Sequence, residues 1–221
     1  MRIGLFGGTF NPIHYVHIRA ALEVREGFPL DECHFIPAAI PPHKTMDGVA
    51  NSGDRLEMIQ RAISGHSGFS VCDVELHRSG PSYSIDTVEY LKTTFPRGSD
   101  LFLMLGVDAF LEFDTWKSYA RLLQVIPVIV MARPTPTYGQ SINRWQTLED
   151  FVHLKISTEY TYSRSKACFT HPDRQPVYVY DVTLLDISSS KIRQLLRSGR
   201  SARFLLPEPV ESYIRSRGLY S

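Results

Sequence analysis

Cysteine is scarce in this sequence. Cys33, Cys72 and Cys168 are the only three, no two of them form a C-x-x-C pair, and their odd number and wide spacing write neither a disulfide framework nor a zinc knuckle. A reducing, cytoplasmic setting is the expectation. An excess of either charge is missing too: 24 Lys and Arg against 23 Asp and Glu leave a formal net charge of +1 over 221 residues. Neither bulk nucleic acid nor an anionic membrane surface is an expected partner, and any anion must be gripped locally. Long apolar runs are absent as well. The opening run, residues 3–6, is too short for a signal-peptide core, and the longest later one, residues 125–132, contains Pro127 and cannot span a bilayer. What remains is 43% hydrophobic and 21% charged, the composition of a packed globular protein rather than a disordered or fibrous one.

Short apolar runs alternate with helical patterns for most of the length. IGLF at 3–6, CHFIP at 33–37, DLFLMLG at 100–106, PVIVMA at 127–132 and VYVYDV at 177–182 have the length and content of buried parallel strands. FSVCDVEL at 69–76 is expected to add another. Between them, Leu56, Ile59 and Ile63 follow a capping candidate at Ser52 or Asp54, and Ile85, Val88 and Leu91 follow Ser84, both at one-face helical spacing. The alternation predicts an α/β protein with a Rossmann-like three-layer α/β/α fold and a mainly parallel sheet. From 134 to 176 the period is lost, and a helix plus a long loop is expected there. With no repeats and no low-complexity tract, residues 1–221 read as a single domain, whose segment 188–221 is C-terminal and helical.

The chemistry starts at the end of the first strand, with GGTFNPIHYVH at residues 7–17. Paired glycines let backbone amides approach a ligand, and Pro12 suits a helix start nearby. The pattern is neither G-x-G-x-x-G nor a Walker loop, since no Lys-Ser or Lys-Thr closes it. His14 and His17 are three apart, so in a helix they share one face at its positive end, where two imidazoles can meet one phosphate. The plainer alternative is a turn followed by two surface or metal-binding histidines. Near the other end, DISSSKIRQLL places Ser188, Ser189 and Ser190 at a strand-to-helix junction ahead of Lys191 and Arg193. Hydroxyls, helix amides and a guanidinium would converge there on an anion, although serines also cap helices with no ligand. Lys44 follows Pro41, Pro42 and His43 in a stiff loop, placed to reach phosphates at the strand ends or else simply solvated.

Together these two segments resemble the signatures of a nucleotidyltransferase superfamily, H-x-G-H after the first strand and Ser-Ser-Thr-x-Ile-Arg late in the chain, with Val16 standing where the superfamily has glycine and Ser190 where it has threonine. Within it, PPHK at 41–44, PSYSIDT at 81–87, GVDAFLEFDTW at 106–116, ARP at 132–134 and the ending LLPEPVESYIRSRGLY are similar to bacterial nicotinate-nucleotide adenylyltransferases. The resemblance runs from residue 2 to 220 and is weakest between 135 and 176. It implies that Gly8, Thr9, Phe10, His17, Gly106, Asp108, Arg133, Ser188, Ser189 and Arg193 bind ATP. Asp108 would lie beside the ribose and Arg133 beside the phosphates. Lys44, Ser84 and Trp116 would bind the mononucleotide. Ser84 starts a helix, whose amides and dipole favour a carboxylate over a neutral carboxamide, and an indole face suits a pyridinium cation.

The implied reaction is adenylyl transfer from ATP to nicotinate mononucleotide, giving nicotinate adenine dinucleotide and pyrophosphate for NAD biosynthesis. His14, His17, Lys44 and Arg193 would be catalytic, and Mg²⁺ would be delivered with ATP rather than held in a protein cage. Homo-oligomers are possible. The rivals are transfer to nicotinamide mononucleotide or another phosphate, and a weakly active ATP-binding regulator. Val16 is expected to occupy space that glycine leaves to the nucleotide, unless it packs inward.

Overall fold

A computed structural model describes residues 1–42, 47–132 and 144–221. In chain order the strands are β1 (Arg2–Gly8), β2 (Glu32–Pro37), β3 (Phe69–Val71), β4 (Asp100–Gly106), β5 (Val128–Ala132), β6 (Thr161–Ser163), β7 (Cys168–Thr170) and β8 (Val177–Asp181). The helices are α1 (Tyr15–Gly27), α2 (Ser52–Ile63), α3 (Ser84–Thr94), α4 (Val107–Phe110), α5 (Tyr119–Val125), α6 (Arg144–Phe151), α7 (Ser189–Arg197) and α8 (Glu208–Ser216). The sheet has eight strands in the order β3-β2-β1-β4-β5-β8-β7-β6. β2–β3, β4–β5 and β5–β8 pair in parallel, whereas β6–β7 and β7–β8 pair antiparallel. This is the Rossmann-like α/β class that the strand-helix alternation predicts.

Two compact units divide the chain. One holds Met1–Gly4 and Tyr83–Leu184, the other Leu5–Ser82 and Leu185–Ser221. In the first, all five residues of β5 are buried, as are Leu101 to Leu105 of β4, because a parallel strand covered on both faces admits no polar alternation. α3 packs through Ile85, Val88 and Leu91, the face its spacing predicts. The stretch after α6 departs from expectation. A π-helical turn, Val152–Ile156, follows it, and β6 and β7 form an antiparallel pair in which Tyr162 opposes Phe169, their rings 5.1 Å apart. Three-residue strands carry too few positions to display a period of two, so a loop was all that the pattern could express.

In the second unit, the cap of α2 lies ahead of both expected ones, one residue before Ser52 and three before Asp54. Asn51 is the N-cap, its side chain accepting the Asp54 amide at 2.8 Å. The buried face runs through Arg55, Met58, Ile59, Ala62 and Ile63, and Leu56 is only half-buried. The strand expected over 69–76 stops at Val71. The Leu76 amide reaches back to the Asp73 carbonyl at 2.8 Å, which winds Val74–His77 into a 3₁₀ turn instead. Among the described residues no helix is long and apolar enough to cross a membrane.

Candidate active site

At the tip of β1 the two glycines serve different ends. A side chain at Gly7 would meet open space, but a Cβ on Gly8 would lie 3.0 Å from the Phe10 ring. Gly8 is therefore small so that Phe10 can fold back over it. Phe10 has φ +48, a left-handed conformation uncommon for a side chain of this size, and its ring is wedged among Phe6, Phe35 and His17 at centroid distances of 5.5, 5.8 and 5.1 Å.

α1 begins immediately afterwards. His14 is its N-cap and is buried, and His17 sits in the first turn, half-buried. The His14 amide donates to His17 Nδ1 at 3.2 Å, and the two rings lie 3.8 Å apart at 32°. A nitrogen that accepts a hydrogen bond holds no proton, so a neutral His17 carries its hydrogen on Nε2. That N–H is a donor fixed by the backbone, at the positive end of a 13-residue helix. The residue between them, Val16, is 3% exposed. It packs inward, which corrects the expectation that it occupies ligand space.

The late serine-rich segment folds against the same loop. Ser188 caps α7 by accepting the Lys191 amide at 3.2 Å, and the Ser189 hydroxyl donates to the Pro12 carbonyl at 2.9 Å. Arg193 Nη1 donates to the Asn11 carbonyl at 2.8 Å and Nη2 to Ser190 Oγ at 3.3 Å. Its Nε is buried with no hydrogen-bond partner among the described residues. The structure thus brings His14, His17, Ser188, Ser189 and Arg193 to one corner of the second unit, together with Gly8, Thr9 and Phe10.

Three residues at this corner belong to none of the sequence motifs above. Asn11, 4% exposed, donates to the Gly48 carbonyl at 3.0 Å and accepts the Ala50 amide at 3.0 Å and the Tyr220 hydroxyl at 2.6 Å. Burial, opposed by the nearby Arg193 and Arg55, pushes the Tyr220 phenol well above its ordinary pKa. Arg55 is completely buried, and burial pulls its pKa down. It donates to the Ala50, Thr9 and Ala39 carbonyls at 3.0, 2.9 and 3.2 Å. The available signal was an arginine at a position where the period of α2 asks for an apolar residue.

The first unit holds a second cluster. Ser84 is the first residue of α3, where backbone amides have no helical acceptor. Trp116 follows a 3₁₀ turn, half-buried, with the Phe113 ring 5.1 Å away. Lys117 connects the two, pairing with Asp86 at 3.0 Å and lying 4.6 Å from the Tyr83 ring centroid. It also neutralises the one carboxylate in the first turn of α3, which would otherwise repel an anion there. Gly106 ends β4 with open space where a Cβ would stand, and Asp108 is exposed on α4. Lys44 and Arg133 lie outside the described residues. Among the described residues, no group of three or more His, Cys, Asp or Glu is placed to hold a metal ion.

A family model described as cytidylyltransferase-like matches residues 5–195. The chain is 44% identical over 220 residues to a protein named probable nicotinate-nucleotide adenylyltransferase from Geobacter sp. (strain M21), covering 100% of this chain and 98% of that one. It is 41% identical to the protein of that name from Geotalea uraniireducens (strain Rf4), covering 100% and 99%. Among solved structures, it resembles the Plasmodium falciparum nicotinic acid mononucleotide adenylyltransferase complexed with APC at a TM-score of 0.68. That match has 17% identity and covers 99% of this chain and 96% of that one. The same enzyme complexed with NaAD matches at 0.67, with 17% identity and 99% and 97% coverage.

Proposed function

From the premise that the chain belongs to the cytidylyltransferase-like family, we infer that it is a nicotinate-nucleotide adenylyltransferase acting in NAD biosynthesis. The mononucleotide's phosphate attacks the α-phosphorus of ATP, pyrophosphate leaves on the opposite side, and nicotinate adenine dinucleotide forms. The observation that carries the reading is the joining of two distant anion-binding segments at one loop, Arg193 on the Asn11 carbonyl and Ser189 on that of Pro12, beside the paired imidazoles.

The attacking phosphate is already anionic, so no protein nucleophile is needed, and catalysis reduces to alignment and stabilisation of charge on the in-line transition state. The His17 Nε2–H, directed by its bond to the His14 amide, donates to a phosphate oxygen that gains charge as the leaving group departs. Arg193, bonded to the Asn11 carbonyl of the same loop, supplies further positive charge. Lys44 completes the set with His14. Gly8, Thr9, Phe10, Ser188, Ser189 and Arg133 seat the phosphates, Asp108 lies beside the ribose, and Gly106 completes the ATP site. At the other cluster the open amides of α3 at Ser84 receive the nicotinate carboxylate, and Trp116 stacks on the pyridinium. The divalent metal, here Mg²⁺, is part of the MgATP substrate and neutralises the polyphosphate.

Residues 1–221 serve this chemistry as one nucleotidyltransferase domain, with 188–221 carrying the second phosphate motif. The free thiols of Cys33, Cys72 and Cys168 support a reducing, cytoplasmic setting. Pyrophosphate release from MgATP on addition of nicotinate mononucleotide tests the reaction. No release with any pyridine mononucleotide would reject it.

A further inference from the structure

Arg55 is a charge with no carboxylate to answer it. Every ion pair among the described residues lies elsewhere, and neighbouring Asp54 is engaged by the Tyr213 hydroxyl at 2.7 Å and by Arg217 at 3.5 Å. Burying a guanidinium is costly unless its donors are satisfied. Here the satisfaction comes from three carbonyls on three separate segments: Thr9 after β1, Ala39 after β2, and Ala50 ahead of α2. A packed apolar residue would fill the same face of α2 at less cost, so the arginine needs a reason beyond packing.

The reason lies in the peptide planes. The Thr9–Phe10 and Ala39–Ile40 bonds are not cis, and in a trans peptide the carbonyl and the following amide point in opposite directions. Drawing the Thr9 carbonyl toward Arg55 turns the Phe10 N–H away from it, and among the described residues that N–H has no acceptor. The Ala39 carbonyl does the same for the Ile40 N–H. The left-handed Phe10 is then a conformation held from behind, as strained backbone at a functional loop must be.

We propose that Arg55 is a positioning residue for the loop that receives the ATP phosphates: its three-way grip on the Thr9, Ala39 and Ala50 carbonyls aims backbone amides, the Phe10 N–H first among them, at the nucleotide. The proposal rests on the adenylyl-transfer reading for the identity of that nucleotide. Arg55 touches no substrate and acts through the backbone it holds.

Arg55→Lys keeps the charge, but a single ammonium lacks the planar fork that reaches three segments. Arg55→Gln keeps two donors without the charge. Tyr213→Phe is the control, since it removes the hydroxyl bonded to Asp54 on the same helix and leaves the three carbonyl bonds intact. Titration of each purified protein with MgATP gives dissociation constants that need no acceptor substrate. Pyrophosphate release then gives kcat and both KM values, and the Phe10 amide resonance is followed by NMR as MgATP is added. Both Arg55 variants are expected to bind MgATP at least about tenfold more weakly, the loss typical of one or two charge-assisted hydrogen bonds. The mononucleotide KM should stay near wild type, and the Phe10 amide should shift less with MgATP than in the wild type. Tyr213→Phe should melt earlier while binding ATP normally.

Folded Arg55 variants with wild-type ATP affinity and an unchanged Phe10 response would overturn the proposal. So would failure of both to fold, which would make Arg55 a structural residue only. A wild type that binds MgATP but transfers nothing would reject the reaction and leave the Arg55 comparison decided by the titrations.

Discussion

On the proposed reading, the corner at the end of β1 and the corner at the start of α3 both meet a negative charge, and they are built differently. At the first, the groups are tied before any ligand arrives. Asn11 takes part in four hydrogen bonds through its side chain and carbonyl, His17 is oriented by the His14 amide, and Ser189 and Arg193 are bonded to the same loop. At the second, the offering is a helix end and an aromatic face, with Lys117 as the brace. The difference follows from the work each must do. Stabilising charge that develops at a reacting phosphorus requires donors already in place, since reorganising them would return the gain. Recognising a flat ring that carries a carboxylate requires only a surface and a local field.

The contrast can be broken at several points, and the largest effect is expected at the first corner. His17→Ala should lower kcat by roughly 100-fold or more, the usual loss when one preorganised charge-stabilising donor is removed. Its parallel loss as a backbone acceptor should cost about 1 kcal/mol of stability, so melting curves separate the two roles. A fully active His17→Ala enzyme would reject the assignment.

Val16→Gly sharpens the boundary between packing and site. Because Val16 is buried, the substitution should cost about 2 kcal/mol in thermal or denaturant unfolding through lost burial and the resulting cavity, with no gain in ATP affinity. Tighter ATP binding would return the side chain to the ligand's space. At the second corner, Trp116→Ala should raise the mononucleotide KM by roughly 2- to 30-fold, the equivalent of about 0.5 to 2 kcal/mol of cation–π contact, and leave the ATP KM little changed. Equal rises in both would reduce Trp116 to a packing residue. The smallest effect is expected at a side chain that bonds within its own helix: Asn51→Ala removes the cap of α2 on the Asp54 amide and should cost about 1 kcal/mol in unfolding while changing kcat little.

Legibility in the sequence followed the range over which each feature is encoded. The buried runs of β1, β4 and β5 announce themselves, since continuous burial writes a continuous apolar segment, and β2 and β8 read as strands from their apolar and aromatic content although only part of each is buried. β6 and β7 do not, because three residues cannot carry a period. At the site, the i,i+3 histidines and the Ser-Ser-Ser-x-Ile-Arg segment are local patterns with a local mechanism, and they were readable. Arg55, Asn11 and Tyr220 act across 46, 37 and 209 positions of sequence, where no local pattern records the contact. Val16 was legible as a departure from a motif, but its direction was not, since a residue in the first turn of a helix can face either the ligand or the core.

The most direct test of the central claim compares the acid and amide mononucleotides side by side. Purified protein with MgATP is given nicotinate or nicotinamide mononucleotide, and pyrophosphate release is measured over a range of each. A higher kcat/KM for the nicotinate form is the expected result, because the proposed site at Ser84, where α3 starts, would favour its charged carboxylate over a neutral carboxamide. Equal values, or a preference for the amide, would contradict the account.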